Sequence, residues 1–263
     1  MKEFLLLINN WNEEAALEKL LPTLRLIVLE LDGRLDVIFV DNHSQDSSQF
    51  LITKFGFNYL LQPEPGLRSA FNIGVSYAFE GDYHFIVFAQ SDGNCDFTKL
   101  NDLISYFLSG EFDMVVASRY LNFNKSPDDT FLTKCGNLLF TRLISSITQF
   151  PYTDALVGYR VIKTKVIRDL NLMNDELVYW KPEKVIRTSL AWDPLLSLLL
   201  PLRGYKVSEY LICETKRIGG QEKKKNFIWG LGFLFWVIQA AWQERIIPFY
   251  RVKPTVEHPL GNE

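Results

Sequence analysis

Apolar runs that stop abruptly at polar clusters constrain this chain more than any other feature. Residues 84–89 are almost continuously apolar and end in Gln90, Ser91, Asp92, Gly93 and Asn94. Residues 4–8 run in the same way into Asn9, Asn10, Trp11 and Asn12, and residues 35–40 into Asp41, Asn42, His43 and Ser44. Strands apolar on both faces are covered on both faces, the habit of a parallel sheet between two helical layers. Helical periodicity fills the intervals. Asn12 is placed to cap a helix with Leu17, Leu20, Leu21 and Leu24 on one face, bent or split at Pro22. Asp46 or Ser44 caps a second helix running to about Lys54. A short strand at 57–61, helices at 67–79 and 98–108, and a strand at 113–117 complete the alternation. Right-handed crossovers then bring the strand C-termini, and their polar clusters, to one rim.

Beyond Ser118 the pattern is less regular. A helix is expected over 132–147, with Leu138, Leu139, Leu143 and Ile147 on its apolar face. Residues 190–202 are apolar apart from the Asp193-Pro194 interruption, and 205–213 read as a late strand. The length of 263 residues and a 48% hydrophobic content suit one large α/β domain, expected over 1–225, with an appendage over 226–263. A formal charge of −3 gives no basic footprint for nucleic acid. Cys95, Cys135 and Cys213 are far apart, which disfavours zinc or a disulfide framework and suits a reducing compartment. The run at 4–8 is too short for the apolar region of a secretory signal.

Several residues at the rim carry chemistry. Asp92 and Asn94, two apart on a tight turn, can converge on one hard cation such as Mg²⁺ or Mn²⁺; the bland alternative is a polar turn with nothing bound. Asp41, at a strand end, can accept a hydrogen bond from a nucleobase N–H or a ribose hydroxyl, or serve only in capping. The amides opening the helix at 66–74, with Arg68, suit a diphosphate. Arg119, Lys134, Arg160, Arg217 and Lys223 each adjoin the rim or a loop; together they make an anion site for two phosphate groups, and separately they are solvated cations.

Ordered motifs run through these segments. Residues 8–14 follow a P-x-Y-N-E opening with Asn9 in place of Pro, and 40–46 follow V-D-D-G-S-x-D with Asn42 and His43 substituted. Residues 66–74 match G-x-x-x-A-x-N-x-G, 117–120 resemble G-S-R-Y, and 133–137 resemble S-R-G-x-N with Lys134 for Arg. Residues 153–160 fit T-D-x-x-x-G-[FY]-R, and 217–223 fit R-x-x-G-x-S-K with Glu222 for Ser. Over roughly residues 2–223 the chain resembles a family 2 glycosyltransferase of the GT-A fold, most of all the polyprenyl-phosphate sugar transferases of the dolichol-phosphate mannosyltransferase type. The resemblance implies a Rossmann-like α/β architecture, a mostly parallel sheet flanked by helices, followed by a C-terminal apolar helix. It also implies a nucleotide-sugar donor held by Asp41 and by Asn9, Trp11 and Glu13. The family's D-x-D motif falls on Gln90-Ser91-Asp92, so a neutral Gln90 replaces the first acid. Asp92, Asn94 and Gln90 become the implied metal positions, and affinity for Mg²⁺ or Mn²⁺ is expected to be reduced.

The implied chemistry is inverting transfer, with the metal and Arg217 neutralising the leaving nucleoside diphosphate. An anionic polyprenyl phosphate needs little base catalysis, and Arg119 and Lys134, with Arg160 and Lys223, would hold its phosphate. Asp154 would orient Arg160 or the sugar hydroxyls. Against a sugar hydroxyl, Asp154 or Asp193 would have to act as base. Residues 227–242 are apolar and aromatic with basic flanks but fall short of the roughly 20 residues of a bilayer span. They fit an interfacial helix at a membrane, or a helix packed on protein. The expected place of action is the cytoplasm, at the cytoplasmic face of a membrane. Two competing readings are a transferase of the same fold acting on a glycan or other soluble acceptor, and a non-catalytic member that binds a nucleotide sugar, motivated by Gln90.

Overall fold

The computed structural model describes residues 3–123, 126–127, 129–174, 192–218 and 226–246. The apolar runs become strands: β1 (Phe4–Asn10), β2 (Leu35–Asp41), β3 (Asn58–Leu61), β4 (Phe85–Gln90) and β5 (Met114–Ser118). Two more follow, β6 (Arg160–Lys163) and β7 (Val207–Leu211). Among the described residues they form one sheet in the order β3-β2-β1-β4-β6-β5-β7. β1 pairs parallel with β2 and β4, β2 with β3, and β5 with β7. β6 runs antiparallel to both neighbours, β4 and β5.

The mostly parallel α/β sheet is therefore the one expected, with one strand unforeseen. β6 is only four residues long and follows a run of turns, so it carries no recognisable alternation. By inserting between β4 and β5 it splits the sheet into a parallel half of β3, β2, β1 and β4 and a second half that ends in β7.

Eight helices flank the sheet among the described residues: α1 (Glu14–Glu30), α2 (Ser48–Lys54), α3 (Leu67–Glu80), α4 (Leu100–Ser109), α5 (Phe131–Thr148), α6 (Thr164–Asp169), α7 (Asp193–Leu202) and α8 (Asn226–Ile246). Alternate strand residues supply two cores. Phe4, Leu6, Ile8, Phe39, Val87 and Val115 face α1, α2 and α4. Leu5, Leu7, Val40, Ile86, Phe88 and Val116 face the layer containing α3, α7 and α8. Gly74 lets α3 lie directly on β1, because a Cβ there would sit 1.9 Å from Leu7 Cδ1. α1 stays continuous through Pro22.

Two local expectations are corrected. Asn12 does not cap α1: it adopts a left-handed conformation (φ 52°), and its Oδ1 accepts from Gln45 N at 2.7 Å. The α1 amides are met instead by the loop after β2, with Ser48 Oγ accepting from Glu13 N at 3.1 Å and Asp46 Oδ2 from Glu14 N at 3.0 Å. The second correction concerns α5. Leu143 and Ile147 pack on the core as expected, but Leu138 and Leu139 are exposed, and Asn137, Thr141 and Thr148 are buried beside Ile144, so the inward face of the helix is mixed rather than apolar. The site beneath it needs hydrogen bonds from that face.

Candidate active site

The rim forms because parallel register aligns the strand ends. Asn10 pairs with Asp41 across β1 and β2, and Asn9 with Gln90 across β1 and β4. Asp41 is fully buried at the end of β2. Its Oδ1 accepts from Asn10 Nδ2 at 2.7 Å and Ser44 Oγ at 2.6 Å, and its Oδ2 from Ser44 N at 2.9 Å and Gln49 Nε2 at 2.8 Å. Asn10 also accepts from Ser91 Oγ at 2.8 Å, so its one amide ties together the ends of β1, β2 and β4. Sequence reasoning favoured Asn9 and passed over Asn10; the pleat sends adjacent residues to opposite faces, and only the fold decides which is inward. The Asn9 Oδ1 is buried without a hydrogen-bond partner, and Trp11 is exposed on the loop that follows.

The turn after β4 carries a second polar corner of the rim. Residues 213–218 cross it as a strap: Ile218 N donates to Asp92 O at 3.1 Å, and Thr215 N to Asn94 O at 3.2 Å. Gly93 has φ +87°, and a Cβ there would lie 2.9 Å from Ile218 Cδ1, so both backbone and neighbour require glycine. The strap brings Arg217 between two buried carboxylates. It donates to Glu13 Oε1, and its Nη1 lies 3.5 Å from Asp92 Oδ2. Asn94 N donates to Asp92 Oδ1 at 3.2 Å, while the Asn94 Oδ1 is buried with no hydrogen-bond partner. A carboxylate and an orphaned amide oxygen two residues apart fit a hard divalent cation that keeps oxygens of a bound diphosphate and of water. Among the described residues no group of three or more His, Cys, Asp or Glu is arranged to hold a metal by itself. Gln90 points elsewhere along the rim: a Cβ on Gly158 would sit 3.3 Å from its Nε2 and 3.8 Å from Asp193 Oδ1. Arg68 lies half-buried in the first turn of α3.

The second half of the rim is a charge clamp. Arg119 follows β5 directly and grips Asp154 in two places, Nε to Oδ2 at 2.6 Å and Nη2 to Oδ1 at 3.0 Å. Asp154 is fully buried and also accepts from Asn137 Nδ2 of α5 at 3.3 Å. On the other side Arg119 Nη1 lies 3.6 Å from Glu214 Oε1. Burial pulls the guanidinium toward neutrality, but Asp154 and Glu214 outweigh that and hold its pKa above the ordinary value. The Thr153-Asp154 turn rests on Glu209 of β7. Oε2 accepts from Thr153 N and Oγ1, each at 2.8 Å, and Oε1 accepts from Asp154 N at 2.9 Å. Burial pushes the Glu209 carboxyl up to about 7 against these hydrogen bonds.

Arg119 and Asp154 thus meet as the rim argument requires, and so do Glu13, Asp92 and Arg217. Asp154 orients Arg119, not Arg160. Arg160 opens β6 in the core, with no exposure, donating from Nη1 to Asp193 O at 2.9 Å and Ser197 Oγ at 3.2 Å; its Nε lies 3.7 Å from Asp193 Oδ1. Its place is in the core beneath the rim, closed to solvent. Lys134 is exposed in the first turn of α5, and Lys223 lies outside the described residues. Glu209 and Glu214 were missed from sequence. The signal for Glu209 was an acid in the middle of an otherwise strand-like run.

Fold and rim together define an α/β protein that gathers charged side chains at the ends of its parallel strands. The sequence profile of "Glycosyl transferase family 2" matches residues 6–170. The chain belongs to that family and is a glycosyltransferase. It is 23% identical to a dolichyl-phosphate hexose transferase of Haloferax volcanii over 239 residues, covering 91% of this chain and 94% of the relative. Among solved structures it resembles glucosyl-3-phosphoglycerate synthase of Mycobacterium tuberculosis. A complex of that enzyme with Mn²⁺, UDP and phosphoglyceric acid superposes with a TM-score of 0.62 at 13% identity, covering 91% of this chain and 78% of the other. A complex with Mn²⁺ and UDP-glucose gives 0.62 at 14% identity, covering 91% and 79%.

Proposed function

We propose that this enzyme transfers a sugar, with inversion, from a nucleoside-diphosphate sugar to a polyprenyl phosphate at the cytoplasmic face of a membrane. The observation that carries the reading is the Arg119–Asp154 pair. The carboxylate nearest the acceptor side is fully buried and held in two hydrogen bonds by a guanidinium. A sugar hydroxyl would need that carboxylate as a base; a phosphate oxygen is already anionic and needs a cation to hold it. The similarity to a dolichyl-phosphate hexose transferase supports the same acceptor class.

In this reading the acceptor phosphate takes the outer edge of Arg119, with Lys134 nearby, and attacks the anomeric carbon. The new C–O bond forms as the bond to the donor diphosphate breaks, and the nucleoside diphosphate leaves. Arg217 leaves Glu13 to meet the charge growing on that diphosphate. Asp92 and Asn94, beside Gln90, would hold a divalent cation, which supplies further neutralisation of the leaving group. Asn9, Trp11 and Glu13 border the nucleoside. Asp41 holds the end of β2 in place through the Asn10 amide, and Arg68 adds positive charge at the start of α3. Residues 227–242, within α8, meet the membrane surface.

The test is transfer of labelled sugar from UDP- and GDP-sugars to polyprenyl phosphate in detergent. Organic-extractable label is expected from at least one donor. Label appearing only on a soluble glycan, with none in the organic phase, would overturn the reading and return Asp193 to consideration as a base.

A further inference from the structure

Helix α5 carries a second surface. Its inward face serves the clamp: Asn137 Nδ2 donates to Asp154 Oδ1 at 3.3 Å and to Tyr120 Oη at 3.2 Å, and Thr141 Oγ1 accepts from Ala155 N at 3.2 Å. Its outward face is apolar and open. Phe131 is 87% exposed, Leu132 70% and Leu139 64%, and Leu138 is exposed beside them. Folding turns large apolar groups outward in a continuous row only when something else covers them. α8 continues the row. Phe233 packs on Phe140 with ring centroids 6.4 Å apart, and the residues next to that contact, Leu139 on α5 and Leu234 on α8, are both exposed. Phe235, Ile238 and Trp242 extend the exposed stripe along α8, while Trp236 and Val237 hold the helix to the core.

We propose that the outward face of α5, with the exposed stripe of α8, is a membrane-docking plane that lies on an anionic lipid surface. This deepens the polyprenyl-phosphate reading and rests on it for its purpose. Charge selects the occupant. Lys134 and Arg142 are exposed on α5, and the helix carries no acid. A second copy would set those cations against themselves, whereas anionic headgroups meet them. Among the described residues no helix is long and apolar enough to cross a bilayer, so the plane lies on the surface. The geometry also serves transfer. Tyr120, next to Arg119, donates to Asp129 at 2.6 Å, two residues before α5 begins. A lipid phosphate at the interface reaches Arg119 while its chain stays in the bilayer.

The experiment is flotation of the full chain with vesicles of phosphatidylcholine, alone or mixed with phosphatidylglycerol, and containing no polyprenyl phosphate. Binding is expected to be stronger to the mixed vesicles. The double variant Leu132→Asp/Leu139→Asp should lower partition at least about tenfold, since each leucine withdrawn from lipid forfeits more than a tenfold factor's worth of transfer energy. Leu26→Asp/Leu29→Asp, on the exposed face of α1, should leave partition unchanged. If the α5 double variant melts early, Phe131→Ser replaces it. Unchanged partition of the α5 variants overturns the proposal. So does a lipid-free dimer of the wild-type chain that the same variants dissociate, since a second copy would then be the cover. Transfer to polyprenyl phosphate in detergent is a separate arm. If it fails while flotation depends on α5, the acceptor reading falls and the docking plane stands.

Discussion

The corner proposed for the donor and the clamp proposed for the acceptor share one sheet edge, yet they hold their arginines in opposite ways. Arg217 rides on a strap fixed to the turn at 92–94 mainly by backbone hydrogen bonds, and its own partners, Glu13 and Asp92, are groups the donor's diphosphate and cation would displace. Arg119 is gripped from two sides by carboxylates, one of them fully buried on a turn that β7 supports. In the proposed reaction one arginine starts paired within the protein and has to be recruited, and the other would act from the position in which it already sits. Preorganised charge costs no rearrangement when the reaction occurs, so the clamp should contribute to rate while the strap couples rate to donor arrival.

The largest effect is expected at the clamp. Arg119→Ala should lower kcat/KM for the acceptor on the order of 10²–10³-fold, the usual result of deleting a preorganised charge at a reacting anion. It should also cost stability, because Asp154 would be left buried without its countercharge; removing one partner of such a pair costs about 3–5 kcal/mol. Calorimetry should find UDP or GDP binding little changed. Equal loss of acceptor use and nucleotide binding would break the distinction between the two regions.

A smaller effect is expected at the strap. Arg217→Ala should lower kcat by about one to two orders of magnitude and weaken nucleoside diphosphate binding, with a smaller fall in melting temperature than Arg119→Ala: Glu13 and Asp92 lose a countercharge, but Arg217 is itself partly exposed, both acids keep a little solvent contact, and the backbone bonds of the strap remain. A fall in melting temperature as large as that of Arg119→Ala would make the strap a structural tie, and the contrast would vanish.

The same division governs what could be read from the sequence. The half built on β1, β2 and β4 was legible because those strands are apolar and parallel, and crossover geometry alone carries Asp41 and Asp92 to one rim, though not which of Asn9 and Asn10 turns inward. The motif at 217–223 put Arg217 there too. The clamp half was legible only in part. Arg119 and Asp154 were singled out, but their pairing was not, because it depends on β6, a four-residue antiparallel strand with no periodic signature. That strand takes Arg160 into the core, where Asp193 O and Ser197 Oγ accept from its Nη1. α5 misled for a different reason. Its leucines recur at helical spacing, and spacing reports that a face is apolar without reporting what covers it. Glu209 went unnoticed because acids in strands are usually exposed at an edge; here the polar turn at 153–154 lies against it.

Glu209 offers the finest test, because it bears on the clamp half alone. Burial against Thr153 and Asp154 pushes its carboxyl up to about 7 in the folded chain, from an ordinary value near 4.5. A raised acid binds more protons folded than unfolded across that interval, so its stabilising contribution is full below about 4.5 and is lost as pH rises through about 7. The loss is of order 1–3 kcal/mol, or several degrees of melting temperature for a chain of this size. Glu209→Gln stays neutral throughout. It presents an N–H₂ where Thr153 N or Asp154 N needs an acceptor, so at pH 5 it should be less stable than the wild type by about 1 kcal/mol. At pH 8 the wild type bears the cost of a buried charge beside Asp154, and the gap should close or reverse. Melting curves of both proteins between these limits measure the difference directly. Parallel curves across that range would mean that Glu209 stays ionised in the fold, and that the clamp's support is a hydrogen-bonding frame without a titrating member.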